Sequence, residues 1–110
     1  MTPADFSRAA LALEGVEQGT HHGVVDFRVR GKIFATLASA HLGYGNLILS
    51  PEQQAGLLAD LPGVFLPIAG GWGRLGMTHI VLSQASPAIL EGALEMAWRR
   101  QLDKKPAKRP

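Results

Sequence analysis

The chain has no cysteine among its 110 residues. That excludes disulfides, thiolate zinc sites, iron–sulfur clusters and a cysteine nucleophile. Charged residues make up only 18% and there is a single tyrosine. No stretch approaches the roughly 18 consecutive apolar residues that a membrane-spanning helix needs. The opening Met1-Thr2-Pro3-Ala4-Asp5 lacks a basic start followed by an apolar run, so no signal peptide is expected. These absences suggest a cytoplasmic protein with no membrane contact. No internal repeat is visible.

What is present is a globular composition, 46% hydrophobic, of a length suited to one domain with one core. Residues 1–102 are expected to form that domain, with residues 103–110 as a basic tail. The isoelectric point near 9.4 comes from the tail. Residues 1–102 carry seven basic against eight acidic side chains, a formal charge of −1. Lys104, Lys105, Lys108 and Arg109 against Asp103 give the remainder +3. Such an end aids solubility and also offers an electrostatic arm for a polyanion.

Thr2-Pro3-Ala4-Asp5 reads as a helix start. Thr is a capping residue, Pro suits the first helical position, and Asp favours the first turn. Phe6, Ala9, Ala10 and Leu13 then recur at helical spacing, and Glu14-Gly15 is the expected stop. Residues 26–29 and 32–37 flank Arg30-Gly31 as a hairpin. A two-residue loop sets Phe27 opposite Phe34, and a three-residue loop sets Val29 opposite Ile33. A one-residue slip exchanges the faces, so the side taken by Lys32 stays open at this point. Asn46 to Leu49 is a further strand. Ser50-Pro51-Glu52-Gln53 opens a short helix with a capping box. Residues 64–68 form an edge strand or loop around Pro67. Ala69 to Gly76 is a glycine-rich turn, residues 78–82 a strand, and Ser86-Pro87 opens a last helix with an apolar stripe from Ile89 to Trp98. This order predicts an α+β fold, an antiparallel sheet with the terminal helices packed on one face.

Phe27 to Ala35, Leu47 to Glu52, Gly73 to Thr78 and Ala97 to Arg100 together resemble the MmcQ/YjbR family, in order and spacing, from about residue 3 to residue 100. The resemblance implies a frataxin-like, CyaY-like two-layer sandwich. Members are often labelled DNA-binding, a label resting on fold and surface analogy. Many members carry lysine where this chain has Ile48, and tryptophan where it has Met77. Both differences weaken a nucleic-acid surface, by removing a cation and a ring able to stack on a base. A frataxin-like fold also raises iron, but the first helix offers only Asp5 and Glu14, with Glu17 beyond its end. No acidic ridge forms, and no metal or other cofactor is expected.

His21-His22 are the most visible metal-type pair. On a strand, adjacent residues point to opposite faces, so they are not expected to share an ion. Ser39, Ser50, Ser83 and Ser86 lack a nucleophile-elbow setting, and a non-enzymatic protein is expected. The glycine-rich segment around Trp72 and Arg74 offers backbone donors for an anion but lacks the Gly-Lys-Ser/Thr ending of a nucleotide loop. Two functions follow as expectations. The first is salt-sensitive DNA binding through Lys32, Arg74, Arg99, Arg100, Lys104 and Lys105. The alternative is a small-molecule or protein-binding adaptor that uses the sheet face or the Trp72 loop, with His22, Arg28 and Trp72 as candidates.

Overall fold

A computed structural model of the chain describes residues 1–104. Pro3–Leu11 forms the first helix, α1. Thr2 Oγ1 accepts the Asp5 N–H at 3.1 Å, and the Asp5 carboxylate accepts the Thr2 N–H at 2.8 Å. That reciprocal box satisfies donors the helix itself leaves orphaned. The hydrogen bond from the Thr2 backbone holds the Asp5 carboxyl below its ordinary value. The helix ends at Leu11, short of the expected Glu14-Gly15. Gly15 still does the turning, at φ +75°, and sends the chain into the sheet.

Six strands follow: β1 (Val16–His21), β2 (Val24–Val29), β3 (Lys32–Thr36), β4 (Tyr44–Ile48), β5 (Phe65–Pro67) and β6 (Met77–Val81). They form one sheet in the order β1-β2-β3-β4-β6-β5, antiparallel throughout. Strand β1 has no counterpart in the sequence reading. It is an edge strand of Val, Glu, Gln, Gly, Thr and His, without the apolar alternation that marks a half-buried strand. Its pairing with β2 runs through His22-Gly23, at φ +52° and +79°. Positive φ at both central residues matches the right-handed twist of the strands. Arg30-Gly31 makes a second such turn, at φ +53° and +77°.

That second turn has two residues, pairing Val29 with Lys32 and Arg28 with Ile33. Neither expected register holds beyond it. The ladder shifts, and Phe27 meets Ala35 in place of Phe34. The extra residue lets Phe34 and Ala35 both bury completely. Lys32, as the partner of core residue Val29, lies on the helix-facing side.

Helix α2 (Pro51–Asp60) starts at the expected Ser50–Gln53 capping box, with bonds of 3.0 and 2.9 Å. The turn around Trp72 contains a one-turn helix, α3 (Gly71–Arg74). Helix α4 (Pro87–Asp103), capped by Ser86, closes the described structure. α1 and α4 cover one face of the sheet, as expected. Phe6 and Ala10 of α1, with Leu90, Leu94 and Ala97 of α4, bury against Phe27, Leu47, Phe65 and Ile80. The Phe6 and Phe27 ring centroids lie 5.9 Å apart. Gly45 makes this closeness possible, because a Cβ there would sit 2.3 Å from the Phe6 ring. The end of α4 is tied down by Trp98 Nε1 donating to the Glu14 carbonyl at 2.9 Å and Gln101 Nε2 donating to the Ile33 carbonyl at 2.8 Å. Among the described residues no helix is long and apolar enough to cross a membrane.

Candidate functional site

The second face of the sheet carries no terminal helix. Strand alternation sends Asp26, Thr36, Asn46 and His79 to it, and the register aligns them. Asp26 pairs with Thr36, Thr36 with Asn46, and Asn46 with His79. The result is a polar row across four strands. Asn46 Nδ2 donates to Thr36 Oγ1 and Ser39 Oγ, each at 3.2 Å. Asn46 Oδ1 lies 2.7 Å from His79 Nδ1, which makes that nitrogen the protonated one. Burial pushes the His79 pKa below its ordinary value, so the ring is neutral at pH 7. It also packs against Tyr44, with centroids 4.8 Å apart.

At the other end of the row Asp26 is fully buried. Both its oxygens accept from Arg28, from Nε at 2.8 Å and from the terminal guanidinium nitrogen at 3.1 Å. Hydrogen bonding to Asp26 raises the Arg28 pKa further. Gly19 on β1 leaves room for the pair, since a Cβ there would stand 2.9 Å from Asp26 Oδ1.

Above this face lies a hollow of about 480 Å³. Its apolar lining comes from Val24, Ile33, Ile48, Ile68 and Met77, and its polar spot from Thr36, Ser39 and Asn46. His21 and His22 rim one side and Trp72 walls another. Trp72 is 63% exposed, yet its backbone is fixed. Gly73 sits so close to the Ile68 carbonyl that a Cβ would fall 1.7 Å from the oxygen, and Gly76 approaches the Leu49 carbonyl to 2.1 Å on the same measure. Gln54 of α2 donates to the carbonyls of Gly73 and Met77, at 3.1 and 2.9 Å. An exposed apolar ring on a pinned backbone is a preorganised contact surface.

The structure brings His22 and Trp72 to the hollow. Arg28 stands outside its lining and acts on it through Asp26. The expectation that His21 and His22 point to opposite faces fails, because His22 leaves the strand in a left-handed turn. Their rings lie 4.3 Å apart, both on the rim. Among the described residues no three His, Cys, Asp or Glu side chains gather to hold a metal. The basic candidates do not share one surface. Arg99, Arg100 and Lys104 line one shallow depression with Ser50 and Gln53. Arg74 lines another with Trp72 and Leu75, and Lys32 faces the helix side. Arg99 also pairs with Glu95 at 3.1 Å and lies 5.5 Å from the Trp98 ring. Lys105 and the rest of the basic tail fall outside the described residues.

Sequence reasoning missed Thr36 and Asn46 and gave Ser39 and Asp26 no binding role. The signal for Asp26, Thr36 and Asn46 is their polarity within otherwise apolar strands, which becomes a pattern once the register is known.

The YjbR family model matches residues 11–100. The chain belongs to the YjbR family. A crystal structure of Deinococcus radiodurans protein DR2400, a DUF419 domain, is similar in fold, with a TM-score of 0.74 at 14% identity. The match covers 94% of this chain and 80% of that one. At that identity the likeness concerns the fold alone. No curated protein matches the sequence. In this YjbR protein Ile48 and Met77 are direct cross-strand partners, and both line the hollow.

Proposed function

We propose that this YjbR protein is a non-enzymatic binding protein whose ligand lies in the hollow on the open sheet face. The observation that carries the reading is a concave, mainly apolar site of about 480 Å³, bounded by an exposed but rigidly mounted tryptophan. Small-molecule sites have this character, typically about 300–1,000 Å³ with a few placed polar groups. The fixed polar groups of this face serve one another: His79 Nδ1 faces Asn46, and Asp26 is paired with Arg28. The test is titration with Nile red, an uncharged dye whose emission rises in apolar surroundings. A saturable rise is expected for the native chain, and its loss in Ile48→Lys, which places a cation in the apolar lining. An equal rise in the variant, with its fold verified by circular dichroism, would remove the reading.

A second reading, DNA binding, is favoured by the grouping of Arg99, Arg100 and Lys104 at one depression. It predicts phosphate-driven, sequence-tolerant affinity. Fluorescence anisotropy of a labelled duplex at about 50 and 200 mM salt tests it. Steep salt dependence that disappears in the double variant Arg99→Ala, Arg100→Ala supports this reading. No binding at the lower salt ends it.

A further inference from the structure

We infer that the ligand of the hollow is a planar, uncharged aromatic molecule carrying a hydrogen-bond acceptor, which receives the hydroxyl protons of Thr36 and Ser39 while its ring lies against Trp72. The inference rests on the reading of the hollow as a binding site and adds its chemistry.

The acceptor follows from how the polar spot is already used. Thr36 Oγ1 receives the Ala38 N–H at 3.3 Å and Asn46 Nδ2 at 3.2 Å. A hydroxyl has two acceptor lone pairs and one proton. Both lone pairs are therefore engaged, and Thr36 can offer only its proton. Among the described residues no hydrogen bond uses that proton. Ser39 Oγ likewise receives from Asn46, at 3.2 Å, and its proton is also unspent. Asn46, 8% exposed, has its amide committed on both ends, which leaves Thr36 a donor only and Ser39 with a free proton beside one remaining lone pair. With Asn46 Nδ2 given to the two hydroxyls, Oδ1 faces His79 Nδ1 at 2.7 Å, and that pairing holds only while Nδ1 carries the proton.

The absence of charge follows from the rest of the lining. The one carboxylate there, Asp26, is fully buried and held by Arg28. It offers no free partner to a cationic ligand. An anion would meet apolar side chains and two rim histidines. Burying an unpaired charge against such a wall is costly. Planarity follows from Trp72, a mostly exposed indole in the lining of the hollow, on which flat rings stack well.

Coumarin and indole make the test. Both are uncharged, planar and bicyclic. Coumarin brings a carbonyl acceptor and no donor, while indole brings an N–H donor and no comparable acceptor. Binding is read from 1H–15N shifts of the Trp72 indole N–H and the Thr36 and Ser39 amides of the full chain. Coumarin is expected to bind roughly two- to tenfold tighter than indole, the worth of one neutral hydrogen bond. Thr36→Val should bring the ratio to about one, Thr36→Ser should restore it, and Ser39→Ala should reduce it. Trp72→Ala should weaken both probes by about tenfold. A carboxylate derivative of coumarin should bind more weakly than coumarin itself.

Equal affinity for coumarin and indole, unaltered by Thr36→Val, would overturn this inference while leaving the hollow a binding site. Tighter binding of the carboxylate would do the same. A His79 ring protonated at Nε2 by 15N shifts would also overturn it, because Asn46 would then turn its carbonyl toward the hydroxyls and take their protons. Neither probe perturbing Trp72 or the Thr36 region would sink the reading of the hollow, and this inference with it.

Discussion

The two faces of the sheet are made of the same strands and do different work. All four phenylalanines, Phe6, Phe27, Phe34 and Phe65, lie in the helix-covered core, each at most 1% exposed. Trp72, Tyr44, His21, His22 and His79 lie on or around the open face. On the covered side the packing is carried mainly by apolar side chains, with Thr78 and Gln101 as buried polar exceptions among the described residues. On the open side, the apolar groups are half-buried and every fixed polar group has a partner inside the protein. Stability is concentrated on one face. The other keeps apolar surface in contact with solvent, which a folded chain retains where something else is to cover it.

This division is sharpest in its most disruptive test. Phe27→Ala removes a fully buried ring and is expected to cost about 3–5 kcal/mol in urea unfolding. A smaller effect, about 1–3 kcal/mol, is expected for Asp26→Ala, which leaves Arg28 without its carboxylate and opens the support beneath the hollow. Acidification should act more gently still. Because His79 is held below its usual pKa, the unfolded chain takes up a proton first as pH falls below about 6.5. Stability attributable to this group is therefore full above that pH. It declines as pH falls toward the folded-state value and levels off beneath it. Thermal melts between about pH 7 and 5 should show a shallower decline in His79→Gln. The smallest change belongs to Trp72→Ala, within about 0.5 kcal/mol of the native chain, because the ring is mostly exposed. A Trp72→Ala loss approaching that of Phe27→Ala would break the comparison, since the open face would then be holding the fold.

The covered face was largely legible in the sequence. Thr2-Pro3, Ser50-Pro51 and Ser86-Pro87 announce three helices, and Arg30-Gly31 announces a hairpin, because capping and positive-φ turns are local chemistry. Strand β1 was not legible. Its residues pair through backbone groups, and nothing about Glu17, Gln18 or Thr20 advertises a ladder. The bulge at Phe34 was hidden for a related reason, since alternation alone cannot count a residue that the partner strand skips. The candidate site was legible only at its rim, where His22 and Trp72 stand out as unusual residues. Its polar row joins Thr36 to Asn46 across 10 positions and Asn46 to His79 across 33, separations at which no local pattern survives. Ile48 and Met77 were visible as departures from the family resemblance, but their meeting across one pair of strands was not.

The insertion of β6 between β4 and β5 has a consequence for the order in which the molecule is made. β1 to β4 join sequential neighbours, one hairpin after another, and such local pairings close early. β6 reaches β4 across α2, β5 and α3, so their pairing closes a longer loop than the hairpins do. The hollow straddles that junction, with Ile48 and Asn46 on one bank and Met77 on the other. It is therefore complete only once that long-range pairing is made. A molecule held there acts as a clasp across the seam, stabilising the finished protein by mass action and slowing its opening without hastening its assembly.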